Sequence, residues 1–341
     1  FLRSRGSFRL EATGTGGDVR KRTLLDDGWE VAYSADGPWA AVALPHCTNP
    51  TEPTEPTEPV DVGDDRRGPA WYRRTLDVAG HGEHRRAVLH VGAAGPVSEV
   101  GIGGEHVASH RGGYSAFRVD LTDFLGPDGR SVLSIRTDNS PTDDVYPLMG
   151  DHTIFGGLYR PVELLELDPV HIDVAHHGGP GVAVRQVHLD DDSARLDVTV
   201  RVANHDASDF SGPVAVTVLD AEGARVASGA TTVAVDPGRV EEVMVPVTID
   251  RPRRWDGRDD PYRYRLVTEV TDDRVELAIG LRTFVLDPDT GVTLNGRPYR
   301  LYGVSRHHDV NGSPAVTRAD IERDLDAIDA IGATAVRLAH S

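Results

Sequence analysis

Gly303-Val304-Ser305-Arg306-His307-His308-Asp309 is a short apolar run that breaks into polar residues, and Ala333-Thr334-Ala335-Val336-Arg337-Leu338-Ala339-His340 is a second run of the same kind. Between them Ile321, Leu325, Ile328 and Ile331 recur at helical spacing. Thr317 with Asp320 three residues on is a weaker form of the capping box, and Gly332 closes the segment. The pattern predicts strand, helix, strand. Such a connection within one sheet is right-handed and its strands are parallel. His307 and His340 are therefore expected at neighbouring strand tips, with the strands about 5 Å apart. Just upstream, Leu294-Asn295-Gly296-Arg297 carries the Asn-Gly signal of a tight hairpin.

Further upstream the chain is all short strands. Over residues 181 to 286, Leu196, Val198, Val200 and Val202 alternate with Asp197, Thr199 and Arg201, and the Val214-Val216-Val218 and Val243-Val245-Val247 sets repeat the period of two. About a hundred residues of that pattern predict an immunoglobulin-like sandwich without a disulfide. From Ala70 onward Trp71-Leu76, Ala87-Val91, Ser98-Ile102 and Ser131-Ile135 read as strands between Gly, Asp and Pro, with Gly103-Gly104 as a hairpin turn. These predict a jelly roll or related sandwich. Leu24-Val31 and Trp39-His46 each read as one strand carrying a large aromatic. Between Thr51 and Pro59, Thr-Glu-Pro occurs three times and predicts an extended, exposed loop. His171, His176 and His177 fall in a Gly/Pro-containing stretch near the boundary between the two β blocks and read as solvated linker residues rather than a metal site.

With 341 residues and 39% hydrophobic composition the chain can build two or three cores. The formal charge of −18 argues against a nucleic-acid partner. Lys21 is the only lysine. Cys47 is the only cysteine, so the fold does not depend on an oxidising compartment. No apolar run approaches the roughly 20 residues of a membrane span, and no signal-peptide pattern opens the chain; the expectation is a cytoplasmic protein with no membrane partner.

The order of these segments resembles glycoside hydrolase family 2. The resemblance rests on Gly28-Trp29, Leu44-Pro45-His46, Trp71-Tyr72-Arg73, Gly112-Gly113-Tyr114-Ser115-Ala116-Phe117, Phe155-Gly156-Gly157-Leu158-Tyr159-Arg160, Trp255-Asp256 with Pro261-Tyr262-Arg263-Tyr264, Gly280-Leu281-Arg282, Gly303-Val304-Ser305-Arg306-His307 and Arg337-Leu338-Ala339-His340. It departs from the family at Ser341, where the family usually has Tyr. It implies a mainly β chain: a jelly-roll sugar-binding domain over 1–170, an immunoglobulin-like sandwich over 171–286, and over 287–341 the first βαβ unit of a truncated (β/α)8 barrel, which when complete needs about 250 residues.

The activity implied is retaining hydrolysis of terminal β-galactosides. The family's two catalytic glutamates would lie beyond Ser341, so no catalytic residue is assigned within this chain. Asp151, His307 and His340 would bind the sugar, with Asp151 also a ligand for a bound sodium ion; a sodium or magnesium ion is allowed for, and no cofactor is required for the chemistry. Without the resemblance Asp151 reads as an Asx-turn residue, and two histidines at strand ends read as ordinary loop caps. His308 and Asp309 read as solvated rather than metal-bound, and Arg337 as one half of a structural ion pair. A carbohydrate is the expected partner, and a homo-oligomer is allowed. The alternatives are a β-glucuronidase of the same family, a non-catalytic carbohydrate-binding or assembly module, and a pure β-sandwich adhesion protein, which requires no helix between Thr317 and Ile331.

Overall fold

The computed structural model describes residues 20–49, 67–78, 85–126, 128–146, 154–309 and 313–339. The elements run β1 (Lys21–Leu24), β2 (Trp29–Ala32), β3 (Ala40–Val42), β4 (Pro69–Asp77), β5 (Arg86–Val91), β6 (Val97–Ile102), β7 (Glu105–Arg111), β8 (Phe117–Asp120), β9 (Arg130–Asp138) and β10 (Val162–Leu167). They continue as β11 (Val170–Ile172), β12 (Val182–Leu189), β13 (Ser193–Asn204), β14 (Phe210–Leu219), β15 (Arg225–Val235), β16 (Arg239–Asp250), β17 (Tyr264–Val270) and β18 (Asp273–Ile279). Last come β19 (Phe284–Asp287), β20 (Gly291–Leu294), β21 (Arg297–Pro298), β22 (Gly303–His307), α1 (Arg318–Ala330) and β23 (Ala335–Ala339). The structure is mainly β, and no barrel closes among the described residues. The helix at α1 removes the adhesion-protein alternative.

Two compact units form. One holds residues 21–166, 306–324 and 338–339 of the described chain. Its β part is a four-stranded sheet, β1-β10-β5-β8, and a six-stranded sheet, β3-β2-β4-β9-β6-β7. Period-two alternation gives each sheet one apolar face: Trp29, Val31, Tyr72, Leu76, Val100, Leu133 and Ile135 come from the larger, Leu89, Val91, Val119 and Leu164 from the smaller, and all are buried in one cluster. The Leu24-Val31 stretch is two strands rather than one, because Gly28 at φ +70° turns the chain between β1 and β2. Gly103 and Gly104, both at positive φ, make the predicted two-residue turn between Ile102 and Glu105.

The other unit holds Arg20 and residues 167–305 and 325–337. β13 is its spine, paired along its length with β16 on one side and with β12 and then β11 on the other, while β15-β14-β17-β18 forms the facing sheet. The alternating residues do what their period requires: Leu196, Val198, Val200, Val202, Val214, Val216 and Val218 are all buried in this core. At an unpaired edge the Gln186 amide stands in for a strand. Its Nε2 donates to the Arg282 carbonyl at 3.0 Å, and its Oε1 accepts from the Arg282 amide at 3.1 Å.

A buried carboxylate ties this unit to its own ends. Asp273, 1% exposed, accepts Nε and Nη2 of Arg20 at 2.8 and 2.7 Å and the Ile172 amide at 2.7 Å, while Arg20 Nη2 also reaches the Ile172 carbonyl. Next to it His171 is 2% exposed, stacks on His205 at 5.4 Å between ring centroids, and shares a 2.7 Å hydrogen bond between Nδ1 and the Asp168 carbonyl. This corrects the linker reading of His171: the residue belongs to β11, whose pairing with β13 draws it inside. His176 and His177 are exposed in the turn that follows.

Two outcomes follow from this corner. Replacing Asp273 by Ala strands the Arg20 guanidinium and the Ile172 amide, and a urea melt should show a loss of about 3 kcal/mol. Burial lowers the pKa of His171 to about 4, against 6.5 for an ordinary imidazole. Between those values the unfolded chain holds the extra proton. The contribution is therefore complete above pH 6.5 and is lost as pH falls toward 4, by about 3 kcal/mol at most. A His171→Phe variant should flatten that part of the stability-versus-pH curve.

Candidate functional site

Three segments of the first unit converge: the loop before β10, the end of β22, and the first half of α1. The loop from Ile154 to Arg160 is held by buried side chains that have no apolar partner to find and so hydrogen-bond to backbone. The Asn49 carbonyl oxygen accepts the Gly156 amide at 2.8 Å, and Asn139 donates to the Ile154 carbonyl at 3.0 Å while accepting the Gly68 amide at 2.9 Å. Backbone bonds join His46 to Leu158, Thr48 to Gly156 and Gly95 to Gly157. Both glycines are required. Gly157 sits at φ +94°, and a Cβ there would lie 2.6 Å from the Tyr72 hydroxyl; one on Gly156 would lie 2.3 Å from Thr48 Oγ1. The Tyr159 hydroxyl donates to the Gly113 carbonyl, and Arg160 Nη1 reaches the Tyr114 carbonyl at 3.4 Å. The Phe155–Arg160 motif is thus a rigid loop that ends in a half-buried guanidinium.

β22 and β23 form a two-stranded sheet. The Tyr302 carbonyl, just before β22, accepts the amides of Thr334 and Ala335 at the start of β23, so the two strands begin side by side and run in the same direction. The predicted parallel pair is present, and the helix between them carries the predicted cap. Thr317 Oγ1 accepts the Asp320 amide at 3.3 Å, and Asp320 Oδ2 accepts the Thr317 amide at 3.0 Å. The other end is finished by Arg258, whose Nη1 donates to the Asp329 and Ala333 carbonyls at 3.1 and 3.0 Å.

Alternation along β22 sorts its side chains. Val304 and Arg306 are the more buried positions, and Gly303, Ser305 and His307 are exposed. Arg306 faces α1, where Asp324 Oδ2 accepts its Nε at 3.1 Å and lies 2.8 Å from its Nη2. His307 leaves on the opposite face. His308 follows, half-buried, and its pKa is lowered to about 4 by burial and then by the charges of Arg160 and Arg306. Near neutral pH its ring is uncharged, with one nitrogen to donate and one to accept.

Of the three sugar-contact residues expected from sequence, only His307 falls among the described residues. Asp151 and His340 lie outside them, so their expected meeting with His307 is not part of the description. Arg337 was expected in a structural ion pair; it is exposed, and no ion pair joins it among the described residues. Those residues also contain no group of three or more His, Cys, Asp or Glu that could hold a metal ion. Glu322 pairs with Arg318 at 2.9 Å on the surface of α1. Arg160 closes the Phe155–Arg160 motif, whereas Asn49 and Asn139 belong to no sequence motif. A single buried asparagine leaves no periodic trace; the paired glycines at 156 and 157 were the available signal.

Residues 180–282 match the model of the Glycosyl hydrolases family 2. A beta-glucuronidase from Bacteroides fragilis is 29% identical over 330 residues, which is 94% of this chain and 46% of that protein. A beta-galactosidase from Bacteroides ovatus is 31% identical over 331 residues, 94% of this chain and 38% of that protein. Among solved structures, a Bacteroides uniformis beta-glucuronidase superposes with a TM-score of 0.86 at 27% identity, covering 94% of this chain and 40% of that one. The chain thus spans less than half the length of these relatives.

The electrostatics at the loop end can be read directly. In an NMR pH titration the His308 ring should stay uncharged down to about pH 5, and Arg160→Gln should move its midpoint upward, because one of the two cations that oppose its protonation is gone. An unmoved midpoint would mean that Arg160 does not act on this ring.

Proposed function

Because the chain fits glycosyl hydrolase family 2, we propose that it is the front part of a retaining β-glycosidase acting on terminal β-galactosides, with β-glucuronides as the second reading. In this reading the first β unit is a jelly roll over 1–170, the second an immunoglobulin-like sandwich over 171–286, and residues 287–341 open a (β/α)8 barrel. The observation that carries the proposal is the open β22–α1–β23 unit: parallel strands whose C-terminal ends lie on one side, where such barrels carry their active sites.

His307 sits at such an end. Its role would be to exchange a hydrogen bond with a hydroxyl of the sugar in the subsite where cleavage occurs, and a contact of that kind contributes to rate only so far as it strengthens in the transition state. Asp151 and His340 would complete the contacts to the same sugar. Asp151 is also the candidate ligand for the sodium ion that the resemblance implies. Retaining cleavage needs a nucleophilic carboxylate and an acid/base carboxylate about 5 Å apart; both would come from polypeptide following Ser341, and none of the acidic residues here is given either part.

The glucuronide reading has its own support. Both the Bacteroides fragilis relative and the Bacteroides uniformis structure are named for that activity, and the Bacteroides ovatus relative for the other. Activity decides between them. A polypeptide extending past Ser341 through a complete barrel should release nitrophenol from the β-galactoside faster than from the β-glucuronide, with proton NMR showing the β-anomer of the sugar first. The reverse ratio selects the second reading, and an α-anomer first removes the retaining mechanism. Residues 1–341 alone should turn over neither.

A further inference from the structure

The ion pair between β22 and α1 has a consequence for the imidazole beside it. Arg306 has an 8% exposed side chain and donates Nε to Oδ2 of Asp324, in the middle of α1, with Nη2 close to the same oxygen in the ion pair but making no hydrogen bond. That helix is fixed at both ends, by the Thr317–Asp320 box and by Arg258 on its final carbonyls. A strand clamped to such a post through one face has its other face set as well, since successive side chains point oppositely. Residues 304 and 306 lie on the helix side, and 305 and 307 on the open side.

We propose that Arg306 and Asp324 are a positioning pair for His307, holding β22 in the one register that presents this imidazole on the face turned away from α1, where it can meet a sugar hydroxyl. The choice of residues favours this over plain scaffolding. A buried ion pair gives no more stability than well-packed apolar side chains of the same volume, so apolar residues at both 306 and 324 would serve a scaffold equally well. A slip of one residue would turn His307 toward the helix and Arg306 into solvent, and it would part the guanidinium from the Asp324 carboxylate, which costs more than exposing one apolar side chain. A guanidinium matched to one carboxylate does not tolerate it. His308 fits the same register, returning to the even-numbered side where the charges of Arg306 and Arg160 both act on it.

The inference rests on the reading of His307 as a sugar contact, and the test separates the two. Ring signals of His307 are followed by NMR in the 341-residue chain and in the Asp324→Asn, Asp324→Glu and Arg306→Met variants, alone and with methyl β-D-galactoside or sodium glucuronate. In the unvaried chain one sharp set of ring signals is expected, moving with one of the two sugars. Asp324→Asn and Arg306→Met should double or broaden that set and weaken the sugar response on the order of tenfold, while α1 amide signals persist. Arg306→Met should melt below the parent, because it leaves the Asp324 carboxylate without its partner, and Asp324→Glu, which keeps the pair, should show a single set. If Asp324→Asn and Arg306→Met both leave the His307 signals as in the parent, the positioning pair is overturned. If the parent's signals move with neither sugar, the sugar-contact reading fails, and the doubling in the variants still decides the positioning claim.

Discussion

A β-strand has two faces, and whatever claims one of them decides what the other can offer. In β22 that claim is made by Arg306 on Asp324, a contact worth little as a source of stability and much as a constraint on register. The exposure of His307 and the return of His308 toward Arg160 both descend from it. The rest of the first unit presents a rigid surround: buried asparagines fix the Ile154–Arg160 loop, and two glycines let its backbone pass within contact distance of Tyr72 and Thr48.

Ion pairs of different kinds serve different ends in this chain. Arg20 with Asp273 is a junction, where one carboxylate collects a guanidinium and a backbone amide from sequence positions 152 residues apart. Arg258 acts on carbonyl oxygens as much as on the Asp329 carboxylate, donating to the carbonyl of Asp329 in the last turn of α1 and to that of Ala333 just beyond it. Arg318 with Glu322 is an exposed i,i+4 pair that contributes a few tenths of a kcal/mol. Of the three, Arg20 uses the forked geometry of arginine, with Nε and Nη2 each meeting one oxygen of Asp273.

What could be read in advance was whatever repeats or turns locally. The valine alternations of β13 and β14 became buried faces, Asn295-Gly296 became a turn with both residues at positive φ, and Thr317 with Asp320 became a working cap. Failures came where a distant partner decides. His171 looked like linker because its neighbours are Gly and Pro, yet pairing with β13 buries it beside Asp273. Asn49 and Asn139 carry no local sign of their task, since the groups they satisfy are 107 residues away for Asn49 and 15 and 71 residues away for Asn139. The paired histidine tips were expected from pattern, and of them only His307 is placed.

β19 is exposed along nearly all of its length, with Phe284, Val285 and Leu286 open to water, and Leu338 on β23 is 69% exposed. Oily strands left bare invite any other chain to lie against them. Concentration would then govern behaviour: a dilute preparation of these 341 residues would stay dispersed, while a crowded one would gather into assemblies whose cohesion comes from these few side chains and not from either well-formed interior.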